Sequence, residues 1–63
     1  MDFVVDLRRK SWGQWQASAI KSGTLDRAID GPYADDKGIA LAGLRRLIPD
    51  ANFIAISETH NGD

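Results

Sequence analysis

The 63-residue chain has no cysteine, a single histidine, two prolines and no apolar run that approaches a membrane span. Each scarcity removes a class of chemistry. Without cysteine there is neither a disulfide nor a thiolate metal ligand. His60 stands alone in the C-terminal stretch ETHNGD, so a zinc site would need carboxylates for every other ligand, and no metal is expected. Ser-His-Asp chemistry needs a rigidly held imidazole, and the four serines have only His60 to draw on. The opening MDFVVDLRRK has an acid at position 2 and too short an apolar run for a signal segment. The expectation is a cytoplasmic protein without a membrane partner. Charge of one sign is lacking too: eight Lys and Arg face nine Asp and Glu, for a net charge of −1. No overall basic field of the kind used for non-specific nucleic-acid binding follows from that balance.

Length narrows the choice further. A chain this short is one domain, near the lower limit at which a hydrophobic core alone holds a fold. Such a core rarely contributes more than ~3–5 kcal/mol, so a protein partner or a homodimer is expected to add to it. A pocket of several hundred cubic ångströms is hard to build in so little chain. A non-enzymatic protein without cofactors is the reading that results.

What is present is patterning. In DFVVDLRR, Phe3, Val5 and Leu7 alternate with Val4, Asp6 and Arg8, which predicts a strand. KSWG supplies turn residues, and in QWQASAI Trp15, Ala17 and Ala19 alternate with Gln14, Gln16 and Ser18, which predicts a second strand paired as a hairpin. LDRAID alternates over a short third strand. A helix follows, capped by Asp35 or Asp36 and stopped by Pro49, with Ala40, Leu41, Leu44, Leu47 and Ile48 on one apolar face. NFIAIS reads as the last strand. The fold class expected is α+β, a small antiparallel three- to four-stranded sheet with one helix on one face, in the order β-β-β-α-β. Residues 1–58 form the domain and 59–63 a flexible polar tail. Trp15 is placed in the core and Tyr33 beneath the start of the helix.

Three groups of residues are candidates for binding. In AIDGPYADDKG, Asp30, Asp35 and Asp36 lack the alternation and the distal glutamate of a calcium loop, so turn and cap roles lead. One aspartate suffices for a cap, and the surplus makes an acidic corner, with Tyr33, that suits a basic partner surface. The outward helix face carries Gly38, Ile39, Ala42, Gly43, Arg45 and Arg46. Two glycines there cost ~1 kcal/mol each, and small residues one turn apart admit a partner backbone. Arginines beside them can fork onto carboxylates or phosphates. The third group is Arg8, Arg9, Lys10 and Trp12, with Gln14 and Gln16, a basic turn with an aromatic suited to a nucleic acid.

GQWQASAIKSG followed by GPYADDKGIALAGL resembles the pattern of small sheet-plus-helix domains such as the arm-type DNA-binding domain of phage integrases. The resemblance implies the same sheet-plus-helix fold and an exposed sheet face that reads DNA through Arg and Lys. The matching positions here are Gln14, Gln16 and Ser18, with Asp26 and Asp30 nearby. Two functions are therefore expected in order. The first is a protein-binding module, an inhibitor or adaptor of the sort that phages and other mobile elements encode against host complexes such as CRISPR effectors. The partner surface comprises Asp30, Tyr33, Asp35, Asp36, Ile39, Ala42, Arg45 and Arg46. The second is a small nucleic-acid-binding domain using Arg8, Arg9, Lys10, Trp12, Gln14 and Gln16.

Overall fold

In the computed structural model, which describes residues 1–23 and 27–59, the alternating segment DFVVDLRR forms β1, Asp2–Arg9. It pairs antiparallel with β2, Trp15–Lys21, in a register that sets Leu7 beside Ala17 and Val5 beside Ala19. The turn between them is closed by Lys10 N–H donating to the Gln14 carbonyl at 2.7 Å and Gly13 N–H to that of Lys10 at 2.9 Å. Alternation thus does what it predicts: Phe3, Val5, Leu7, Ala17 and Ala19 are all buried on one face. The third strand is shorter than LDRAID suggests. β3 is Ile29–Asp30, antiparallel to β2, and Leu25 and Asp26 lie outside the described residues.

After β3 the chain turns at Gly31 and enters α1, Lys37–Leu47. Of the two candidate caps Asp36 is the one used, its carboxylate accepting from the N–H groups of Gly38 at 2.7 Å and Ile39 at 3.4 Å. Ile48 is the C-cap and Pro49 follows, as expected of a residue that cannot continue the helix. Ala40 and Leu44 are buried, and Leu41 and Ile48 are partly covered. Leu47 departs from its expected place on the apolar face and is exposed. By helical geometry it stands within about 20° of Ala40, but it is the last residue of the helix, beyond the stretch where Ala40 and Leu44 meet the sheet.

β4, Asn52–Thr59, completes a sheet of order β3-β2-β1-β4. It runs parallel to β1, whereas an antiparallel sheet was expected throughout. The reason is in the crossover. β3 opposes β2 and so runs with β1, and the helix carries the chain back across the sheet before β4 begins, which makes β4 run with β1 as well. The strand also runs two residues beyond NFIAIS. Glu58 is held by Lys37 at 3.1 Å, and the Thr59 hydroxyl donates to Asp6 at 3.2 Å. The rest of the expected tail, with His60, lies outside the described residues.

The helix covers one face and leaves the other open. Its weight falls on β2, where the two alanines let it approach, and Phe3, Val5, Leu7, Ala40 and Leu44 fill the layer between. Val5 and Leu44 are fully buried, and truncating either to alanine in a core this size costs about 2–4 kcal/mol.

Candidate binding surface

The open face of the sheet presents the even-numbered residues of β1 and β2. Val4 and Ile20 form an apolar floor, with Asp6, Arg8, Gln16, Ser18 and Asp30 around it. Tyr33 stands at one end, and the whole is a shallow depression of about 430 Å³. Ile20 continues the outward series Gln14, Gln16, Ser18, so that floor was readable in the sequence from the same alternation.

Charges on this face are satisfied among themselves. The Arg8 Nε donates to Asp6 at 2.8 Å, and that hydrogen bond, with the Asp6 charge and a smaller contribution from Asp30, holds the Arg8 guanidinium above its ordinary pKa. Ser18 donates to Asp30 at 2.7 Å, and the Gln16 amide donates to the Gly31 carbonyl at 3.0 Å. A phosphate backbone approaching here meets an arginine already paired and two carboxylates beside it.

The segment after β3 is stitched to the start of β2. Gly31 N–H donates to the Ala17 carbonyl at 2.8 Å, and Trp15 and Ala34 exchange backbone hydrogen bonds at 2.7 and 3.0 Å. Gly31 is squeezed between that carbonyl and the helix: a Cβ there would lie 3.2 Å from both the Ala17 oxygen and the Leu44 Cα. This anchoring brings Tyr33 out toward the β1–β2 turn. Its ring meets Trp12 edge-on, with centroids 5.4 Å apart and planes at 72°. Trp12 is 59% exposed and Tyr33 48% exposed. Tyr33 is thus not tucked beneath the helix start, because the strand-like path through Ala34 turns its side chain to the open face. Trp15 is half-buried against the core rather than fully inside it, with the Lys37 ammonium 5.8 Å from its ring centroid. The Trp12 indole N–H donates to Gln14 at 3.2 Å, and the Gln14 amide donates to Asp35 at 3.1 Å.

The three aspartates therefore divide. Asp36 caps the helix, Asp35 accepts from Gln14 at the aromatic corner, and Asp30 accepts from Ser18 on the open face. Among the described residues no cluster of acidic and histidine side chains could hold a metal ion.

The outward face of α1 is a separate surface. Ile39, 64% exposed, lies there with Ala42 and Arg46, while Arg45 turns toward β4 and sits 4.4 Å above the Phe53 ring. Gly43, expected to admit a partner backbone, instead admits the chain's own loop: a Cβ there would come within 2.6 Å of Pro32 Cγ. Arg9 pairs with Trp15 and, by alternation, points to the opposite side of the sheet from Arg8. The structure thus joins Arg8, Lys10, Trp12, Gln14, Gln16, Asp30, Tyr33 and Asp35 on one continuous surface, and leaves Arg9, Asp36, Ile39, Ala42, Arg45 and Arg46 outside it. No family model matches the chain, and neither a curated protein nor a solved structure matches it significantly.

Proposed function

We propose that the protein is a non-enzymatic protein-binding module whose docking surface is the open sheet face with the Trp12–Tyr33 corner. The observation that carries this reading is the pair of rings itself. Two large aromatics stand about half exposed, edge to face, beside a depression floored by Val4 and Ile20. Trp and Tyr are the residues most often found to anchor protein interfaces, with little rotamer entropy to lose on binding. The mixed charge around them, Arg8 with Asp6 and Asp30, suits a partner segment that carries both signs. An inhibitor or adaptor, which acts by occupying a surface of a host complex, requires nothing more than this.

The nucleic-acid reading is the weaker one. Of its residues Arg8, Arg9, Lys10, Trp12, Gln14 and Gln16, Lys10 and the exposed Trp12 lie on the open face, but Arg8 is paired with Asp6, Arg9 lies on the opposite side of the sheet, Gln14 gives an amide N–H to Asp35 and Gln16 gives one to the Gly31 carbonyl. It also predicts steep loss of affinity with salt.

The test is quantitative affinity capture from cells of the source organism with tagged wild-type protein and the Trp12→Ala/Tyr33→Ala variant. The reading expects a protein enriched by the wild type and lost by the variant, by at least ~2 kcal/mol in binding, with circular dichroism unchanged. Equal enrichment by both, or a gel shift with DNA or RNA at low salt and no protein partner, would overturn it.

A further inference from the structure

We infer that the open face, on the reading of it as the docking surface, receives an amphipathic helix of another protein that presents an apolar, a basic and a second apolar side chain at i, i+4 and i+8.

The depression is ordered along the strands in three levels. At the first, Val4 stands beside Ile20, and the two are 42% and 43% exposed. At the second, Asp6 lies beside Ser18 and Ser18 beside Asp30. At the third, Arg8 lies beside Gln16. Because Ala34 bridges to Trp15 and Gly31 N–H reaches the Ala17 carbonyl, Tyr33 falls alongside Gln16 at this level, with Trp12 against it. Successive levels are two strand residues apart, about 7 Å. Four residues of helix advance about 6 Å, so one i, i+4, i+8 ridge of a helix meets the three levels in order.

The floor selects a helix over an extended chain. Strand N–H and C=O groups point sideways toward neighbouring strands, and those of β1 are taken by β2 and β4. The face therefore offers a partner side chains only. An extended segment laid on it would leave its own backbone groups without partners in the contact. A helix satisfies them internally, which is how α1 covers the opposite face.

The middle level sets the charge. Asp6 is taken, by the Arg8 Nε on one oxygen and by the Thr59 hydroxyl on the other. Asp30 receives the Ser18 hydroxyl, but among the described residues no cation stands within salt-bridge distance of it, and Arg8 feels its charge less than that of Asp6. Arg8 and Lys10 stand against Asp6, Asp30 and Asp35, so the face carries one negative charge in excess. A lysine or arginine between two apolar residues meets it at Asp30, with the apolar pair on Val4–Ile20 and on the Trp12–Tyr33 corner.

Selection from displayed libraries on the full chain tests this. One library is a helical scaffold randomised at i, i+4 and i+8, and the other carries the same random residues in a linear, glycine-flanked peptide. The wild type is expected to enrich helical clones with Lys or Arg at i+4 between apolar residues. The strongest clone, made as a peptide, is expected to bind Asp30→Asn about fivefold more weakly than wild type, and Asp30→Lys more weakly still, with unchanged circular dichroism. Exchanging its base for glutamate is expected to restore binding to Asp30→Lys. Clones indifferent to Trp12→Ala/Tyr33→Ala would overturn the docking surface and this proposal together. Clones that need both rings but come from the linear library, lack a base at i+4, or bind Asp30→Asn as well as wild type would overturn this proposal alone, as would a selection that enriches no helical clone.

Discussion

Asp36 and its two acidic neighbours show how one residue type does three jobs within seven positions. The Asp36 carboxylate satisfies two N–H groups that the first turn of a helix leaves without partners, whereas Asp30 and Asp35 take hydrogen bonds from exposed side chains. Replacing Asp36 with alanine should therefore lower stability by about 1 kcal/mol, read as a shift in the urea midpoint. The same change at Asp30 or Asp35 should stay within about 0.5 kcal/mol. The acidic surplus was visible in the sequence, but its division was not. Which of two adjacent aspartates caps a helix depends on the backbone angle at the turn, and Asp36 holds the extended conformation that aims its carboxylate back at the first turn. The partners of the other two, Gln14 and Ser18, come from the hairpin, 21 and 12 residues away. Nothing local in AIDGPYADDKG announces them.

Among the elements, those set by near-neighbour alternation were legible and those set by the crossover were not. The hairpin of β1 and β2 follows from period-two patterning, and the α1 boundaries follow from Asp36 and Pro49. β4 looked like any short apolar strand, and its parallel sense became fixed only once the helix had carried the chain across the sheet. The same limit hid the exposure of Ile56, which pairs with the buried Val5 and yet lies 45% exposed, since exposure there depends on where the helix lies and not on the strand. The helix glycines were read in the right currency but with the wrong partner. Gly43 does serve a close approach, to Pro32 of the preceding loop. Gly43→Ala should gain ~1 kcal/mol in helix propensity and still lose net stability, by about 1 kcal/mol in thermal or urea unfolding, because the rigid Pro32 ring must move. A net gain would mean that the loop gives way freely.

For the molecule as a whole, the helix protects one face of the sheet and divides the remaining surface into parts with different character. The open face is mixed in charge and rimmed by Trp12 and Tyr33, the outer face of α1 carries the scattered Ile39, Ala42 and Arg46, and the β4 edge is apolar. Near-neutral net charge and the Asp6–Arg8 pair together weaken long-range attraction for nucleic acid, leaving recognition to short-range contact. The residues proposed from sequence for a protein partner fall on more than one of these parts, since a linear stretch that turns from strand to helix exposes its side chains in different directions. The claim that the open face and its aromatic corner form the docking surface is tested most directly by site-specific photocrosslinking in cells of the source organism. A photoreactive phenylalanine replaces Tyr33 in one variant and Ile39 in another. The account predicts a discrete protein adduct from position 33 and none from position 39. An adduct from position 39 alone, or a nucleic-acid adduct from position 33, would contradict it.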